Sequence, residues 1–222
     1  MGKRVGEIAL RMVILLVGLS IAHLGVTLFL LVELGSDPFN VFVQGVYRTL
    51  SGIAGLRFLS HGYTHIAINL VIIAILLLVD RRYIRPGTVV CMAFGGPIID
   101  FFTALLAELV HPGLPFAVRL VILALGCVIL AYGMTLVVKS EAGTGPNDLV
   151  ALAISEKAHF PFGITRTVTD ISFVVIGVLL GGRVGIGTIV CAVLVGMVAE
   201  RFFPVNERLV RWLLRRTGFV HS

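Results

Sequence analysis

Acidic, basic and amide side chains interrupt the apolar runs of this 222-residue chain, and they are the residues whose chemistry could matter most. Arg166 precedes Asp170 by four residues, and His65 precedes Asn69 by the same spacing. Residues four apart share one face of an α-helix, so each pair should point the same way. An ionisable side chain in a membrane helix is costly and is a functional candidate. With Thr169 nearby, these residues are predicted to line a pathway for a substrate or ion.

Each candidate also has a structural interpretation. Arg166 and Asp170 could neutralise each other and only fix helix packing, or Arg166 could extend towards the inner membrane surface. His65 could simply hydrogen-bond a neighbour. Asp100 has apolar sequence on both sides and is predicted to be a buried proton or cation site, since buried carboxylates can carry protons. Its counterpart Glu200, which is followed by a basic residue, is interpreted as interfacial.

The composition predicts an all-α membrane protein. The chain is 58% hydrophobic and 14% charged, with a mean hydropathy of +1.04, whereas soluble domains carry about 25% charged residues. Its apolar runs approach the roughly 20 residues that cross a bilayer as a helix, and they do not alternate as barrel strands do. Six transmembrane helices fit best, at about 12–34, 61–79, 87–109, 117–138, 163–181 and 184–203.

The net charge of +6 comes from short basic segments beside these spans. This distribution is typical of the positive-inside rule and excludes nucleic acid as the expected partner. Residues 1–11 are predicted to be a cytoplasmic N-terminus before a retained first helix, and 204–222 an amphipathic basic cytoplasmic tail that can lie against anionic lipid. Three cysteines without metal-ligand spacing predict neither a disulfide framework nor a metal site, and no cofactor is expected.

Two stretches of the chain each have a similar counterpart about 100 residues later. "GTVVCMAFGGPIID" begins at Gly87 and "GTIVCAVLVGMVAE" begins at Gly187, with five of fourteen positions identical. Glycine allows close helix approach, threonine can bond across helices, and cysteine is a small packing residue. The predicted helix-packing residues are Gly87, Thr88, Cys91, Gly187, Thr188 and Cys191.

A second pair of similar stretches, "GSDPFNVFVQGVYRTL" from Gly35 and "GTGPNDLVALAISEKA" from Gly143, predicts two short helices at about 37–50 and 146–158. Each is too short to span and should be re-entrant or interfacial. Their free backbone N–H groups could bind an anionic group, or the acids in the turns could already cap them. The turn residues that could gate or contact substrate are Asp37, Pro38, Asn40, Pro146, Asn147 and Asp148.

The chain therefore divides into a first repeat at 12–110 and a second at 117–203, each with three spans and one short helix. Because three is odd, the second repeat must be inverted relative to the first. The basic segments then fall on one side, with both termini in the cytoplasm. Inverted repeats are typical of secondary transporters, whose substrate lies near the membrane midplane at the repeat interface.

The two short-helix motifs, each followed by a glycine-initiated helix and then "PGT" or "GIGT", resemble the YczE/YyaS/YitT group of bacterial integral membrane proteins. The ending "GVLLGGRVGIGTIVCAVLVGMVAERFF" is most similar to the YczE branch, and the resemblance covers about 10–203. It implies a location in the bacterial cytoplasmic membrane and little about chemistry. After Pro38 the chain has Phe-Asn where the group usually has Trp-Asp.

The leading hypothesis is a small secondary transporter of a small metabolite or ion, not an enzyme. A non-transporting accessory protein that binds a partner protein is the alternative. An intramembrane enzyme that uses Cys91 or Cys191 with His65 is a third hypothesis, which no motif supports. Beyond the lipid bilayer, the expected partners are the unknown substrate and, as a homodimer, a second copy of the chain.

Overall fold

The computed structural model describes residues 2–52 and 60–217, so residues 218–222 of the predicted tail lie outside the described residues. Within the described part the regular structure is entirely helical. The elements are α1 (Gly2–Leu31), α2 (Pro38–Ser51), α3 (His61–Val79), a 3-10 turn (Arg81–Tyr83), α4 (Pro86–Leu106), α5 (Phe116–Ser140), α6 (Pro146–Ala158), α7 (Phe162–Leu179) and α8 (Ile186–Arg216).

Six helices of the described residues are long and apolar enough to cross a membrane, which confirms the predicted number of candidate spans. They are α1, α3, α4, α5, α7 and α8, whereas α2 and α6 are the two short helices. Proline in the first turn starts α2 and α6, since its fixed φ suits that position and its missing N–H costs nothing there. The left-handed residues Glu141 and His159 end α5 and α6.

Helix α8 differs from the prediction, because it continues through Pro204 instead of giving way to a separate tail helix. Tertiary contacts hold the segment after the proline in line. The Asn206 amide donates to the Tyr132 carbonyl oxygen at 2.9 Å, and Val210 and Leu214 pack with Ile14 and Leu136. These contacts with α1 and α5 outweigh the missing backbone hydrogen bond at Pro204.

Helices α1 and α5 form the closest helix pair, and they run antiparallel. A Cβ atom added to Gly133 would lie 2.6 Å from the carbonyl oxygen of Gly18, and one added to Gly25 would lie 2.5 Å from that of Gly126. Only glycine permits such an approach of two backbones. The main buried cluster lies beside this pair and includes Leu123 of α5 and Val195 of α8.

Helices α3 and α4 lie at the rim of the bundle. In the described part they pack little against each other, and many of their apolar side chains are exposed, among them Leu70, Leu78, Val89 and Phe101. Helix α7 is different, because it packs against α2, α6 and α8. Residues of α7 and of the two short helices therefore lie in the interior of the bundle.

Candidate functional site

Arg166 is the centre of a buried ionic network. Its Nε donates to Oδ2 of Asp170 at 3.0 Å, and its Nη1 donates to Oδ1 of Asp148 at 2.6 Å. Arg166 is 6% exposed and Asp170 is completely buried. The guanidinium is therefore held inside the helix bundle by two carboxylates and is not at the surface of the protein.

Two elements position these three residues. Arg166 and Asp170 lie one turn apart on α7, as their spacing predicted, and Asp148 lies in the first turn of α6. The sequence did not predict that Asp148 pairs with Arg166, because no helical spacing relates residues that lie 18 positions apart on different helices. Thr169 stays outside the network, since its hydroxyl donates to the Thr165 carbonyl oxygen at 2.8 Å.

The first turn of α2 packs against α3 and α7. Asp37 caps the helix, with Oδ1 accepting from the backbone N–H of Asn40 at 3.1 Å, and it also accepts from the Asn40 side-chain amide. The Phe39 ring contacts His65 of α3 and Phe173 of α7 edge-on, with ring centroids 5.3 Å apart in both cases. His65 thus packs against an aromatic ring.

Several buried side-chain oxygens have no hydrogen-bond partner among the described residues. They belong to Asn69, Thr88, Thr144, Asn147, Asp170 and Asn206. Three of these side chains, Thr144, Asn147 and Asp170, belong to the Arg166 network or to the turn that starts α6. Buried polar groups are nearly always paired, so each of these oxygens needs a partner, such as a water molecule or a ligand.

The paired Gly-Thr motifs hold the short-helix turns. The N–H of Gly87 donates to the Ala142 carbonyl oxygen at 2.9 Å, and the N–H of Gly187 donates to that of Leu34, also at 2.9 Å. The Thr188 hydroxyl donates to the Ser36 carbonyl oxygen at 2.5 Å. The turn glycines Gly35 and Gly143 have φ values of 150° and 137°, which favour glycine.

Asp100 is exposed on α4, whereas its apolar flanks suggested a buried side chain. Its role as a proton or cation site stays a prediction. The neighbouring Phe101 is also exposed. Apolar sequence predicts that a segment lies in the membrane, but it does not show whether a side chain faces lipid or protein. Glu200 does more than mark an interface, since its Oε2 accepts from the N–H of Gly163 at 2.6 Å. This bond ties α8 to the start of α7.

The cysteines lie in packed apolar surroundings. Cys91 belongs to a cluster with Leu15 and Leu19, whereas Cys127 and Cys191 share the main cluster. In all three the side chain is buried and free of disulfides. Their positions agree with the packing role that small residues have between helices.

Comparison with known proteins gives the chain its family. Residues 9–204 match DUF6198, a family of unknown function. The chain is 27% identical over 218 residues to the uncharacterized membrane protein YczE of Bacillus subtilis, covering 97% of this chain and 96% of YczE. It is 28% identical over 197 residues to an uncharacterized protein of Haemophilus influenzae, covering 88% of this chain and 84% of that protein.

The uncharacterized protein YyaS of Bacillus subtilis is 23% identical over 193 residues, which cover 86% of this chain and 92% of YyaS. No solved structure matches the chain. The resemblance to the YczE and YyaS proteins expected from the motifs is confirmed. With its six candidate spans, the chain is a multi-pass membrane protein that belongs to the DUF6198 family.

Proposed function

We propose that this protein is a small secondary transporter of the bacterial cytoplasmic membrane, built from two inverted repeats with its substrate site at the Arg166 network. The observation that carries the proposal is that contacts recur between the two halves with the partners exchanged. The proposed substrate is a small metabolite or ion, and the proposal includes no covalent chemistry.

The exchanged contacts support the inverted repeat. Leu34 and Ala142 are 108 positions apart, as are the aligned turns, and Gly87 and Gly187 are 100 apart. The Gly87–Ala142 and Gly187–Leu34 hydrogen bonds therefore join corresponding residues, with the donor in the first half in one case and in the second half in the other. An exchange of this kind is expected when two copies of one unit pack about a twofold axis.

The antiparallel α1–α5 pair supports the same axis. With an offset of 108 positions, Gly18 corresponds to Gly126 and Gly25 to Gly133. Gly18 packs on Gly133, and Gly25 packs on Gly126. Each contact is the image of the other, which supports a twofold axis that passes between these two helices.

One pair of corresponding joints is unequal, and this inequality supports transport. A Cβ atom on Gly196 of α8 would lie 2.6 Å from the Gly163 carbonyl oxygen of α7, so that joint is closed. The corresponding residues are Gly96 of α4 and Gly62 of α3. A Cβ atom on Gly96 would meet nothing within 4 Å among the described residues, so the α3–α4 joint is open.

Acidic residues follow the same pattern. Glu200 holds the closed joint through the N–H of Gly163, whereas its counterpart Asp100 is exposed on the open side. In a transporter with inverted repeats, the second state exchanges the conformations of the two halves. In that state Asp100 accepts from the N–H of Gly62, and the Glu200 bond opens.

Spin-label distances test this proposal without a known substrate. Tyr63 with Leu105 reports on the α3–α4 joint, and Ile164 with Val205 is the corresponding pair on α7 and α8. All four side chains are more than half exposed, so they tolerate labels. With the native cysteines replaced by alanine, we expect each pair to show a short and a long distance, with opposite populations.

A bulky residue on α4 provides the control. Gly96→Leu fits the open joint but blocks its closure, so the short Tyr63–Leu105 distance should disappear and the short Ile164–Val205 distance should remain. Ala93→Leu, at an exposed position of the same helix, should change neither distribution. One fixed distance in each pair, unchanged by Gly96→Leu, would remove the transporter proposal and favour the partner-binding accessory protein.

A further inference from the structure

The side chains around Arg166 carry more negative than positive charge. Asp148 and Asp170 together offer two negative charges to the single positive charge of Arg166. Asp37 adds a further carboxylate at the start of α2, a helix that packs against α7. The network is therefore not a self-neutralised pair, and a charge inside a bundle is strongly unfavourable unless a partner compensates it.

The helix ends do not reverse this balance. The N-terminus of a helix carries a partial positive charge that attracts anions. The N-terminus of α2 is capped by Asp37, and that of α6 has Asp148 in its first turn. Both positive ends thus already have a carboxylate beside them, so neither end favours an anionic ligand.

The unpaired oxygens indicate the chemistry of the missing partner. Oδ1 of Asp170 is buried without a hydrogen bond, as are Oγ1 of Thr144 and Oδ1 of Asn147, all within the described residues. Asp170 is 0% exposed and Thr144 is 1% exposed. A carboxylate oxygen and an amide oxygen only accept hydrogen bonds, so a ligand that satisfies them must donate.

From these observations we propose that the site binds a small organic ammonium ion, whose N–H groups donate to Asp170 and to the turn that starts α6. This inference rests on the proposed transport function and names its substrate class. The positive charge offsets the excess carboxylate, and the donors satisfy the buried acceptors. Arg166 keeps Asp170 and Asp148 in place and is a positioning residue for the ligand.

Thermal stability of the purified full chain in lipid nanodiscs tests this proposal. Methylammonium should raise the unfolding temperature, because a ligand that binds only the folded state stabilises it. Tetramethylammonium has the same charge but no N–H donor, and acetate has the opposite charge. Both should have no effect beyond that of potassium chloride at equal ionic strength.

Variants locate the site. Asp170→Asn should weaken methylammonium binding about tenfold or more, because a hydrogen bond to a charged group contributes roughly 1.5–3 kcal/mol. The matched variant Glu108→Gln, at an exposed acidic position after α4 that takes no part in the proposed joints, should bind as the wild type does. Thr144→Val removes an unpaired hydroxyl, so it should fold normally and bind about fivefold more weakly.

Two outcomes would overturn the substrate class. Stabilisation by acetate that Arg166→Gln abolishes would assign an anionic ligand to the guanidinium. If methylammonium did not stabilise the protein, or stabilised Asp170→Asn and Thr144→Val as fully as the wild type, an ammonium ion would not be the ligand of this site. The spin-label distances need no ligand, so they decide the transporter proposal independently of either result.

Discussion

Arg166 shows how one buried side chain can depend on two helices. Its ion pairs join Asp170 on the same helix to Asp148 on α6. Removing one partner of a buried ion pair leaves an uncompensated charge, which is far more costly than never having the pair. The stability of the centre therefore depends on all three residues at once.

We expect Arg166→Met to destabilise the protein by about 3–5 kcal/mol, because Asp148 and Asp170 lose their common partner. Adding Asp170→Asn to that variant should recover part of the loss, since one buried charge disappears. Unfolding temperature in nanodiscs measures both effects. Arg211→Met is the control, because Arg211 pairs with Glu207 in an exposed position and should matter little. Equal stability of Arg166→Met and Arg211→Met would contradict the prediction.

Residue spacing predicted part of this centre. The four-residue interval placed Arg166 and Asp170 together, since a helix face is set by local geometry alone. It could not place Asp148, whose approach depends on how α6 packs on α7. It also did not indicate that Asp100 is exposed, because an apolar flank does not distinguish a side facing lipid from a side facing protein.

Among the elements, the α1–α5 pair is the one most sensitive to side-chain size. Gly133 faces the carbonyl oxygen of Gly18, with no room for a Cβ atom. Gly96 on α4 faces open space among the described residues. The same chemical change should therefore have opposite consequences at the two positions.

Gly133→Leu should force α1 and α5 apart, at a cost of 1–3 kcal/mol or more, roughly the range for overpacked cores. Gly96→Leu should leave the unfolding temperature near that of the wild type. Size-exclusion profiles and thermal unfolding of the two variants measure the difference. If Gly133→Leu proved as stable as Gly96→Leu, the close α1–α5 contact described above would be incorrect.

Helix boundaries were predictable where side chains define them. Helix α3 begins after Ser60, which caps it, and α6 begins at Pro146, whose fixed φ suits the first turn. Local sequence could not reveal that α8 continues past Pro204, because distant contacts with α1 and α5 hold that segment in helical form.

For the whole molecule, three elements meet at one end of the bundle. Arg11 of α1 donates to the Ser140 carbonyl oxygen at the end of α5 at 3.0 Å. Lys139 of α5 pairs with Glu207 of α8 at 2.6 Å. The start of α1 and the ends of α5 and α8 therefore lie on the same side, where basic residues are frequent.

We expect this end to be cytoplasmic, because basic segments stay on that side. A green fluorescent protein fused to the C-terminus should fluoresce, and alkaline phosphatase fused there should be inactive. Gly113→Cys, between α4 and α5, should react with an impermeant thiol reagent added to intact cells from which the outer membrane has been removed. The reverse labelling pattern would contradict the assigned orientation.

Six spans could be predicted from hydropathy, because apolar length alone decides whether a helix can cross a bilayer. The joints between the helices could not be predicted in this way. Gly62 and Gly96 match Gly163 and Gly196 in sequence, yet one pair is apart and the other in contact. A repeated sequence predicts equal halves, whereas the structure has one joint open and the other closed.

The exchanged bonds of Gly87 and Gly187 also bear on how the chain is made. The Gly87 N–H needs Ala142, and the Leu34 carbonyl oxygen needs Gly187, so the turns of each half are completed by the other half. During synthesis the first three spans enter the bilayer with these groups unmatched. Nearly the whole chain must be synthesised before the turns of either half can complete their hydrogen bonds. We therefore expect a protein truncated after α4 to be degraded by membrane proteases.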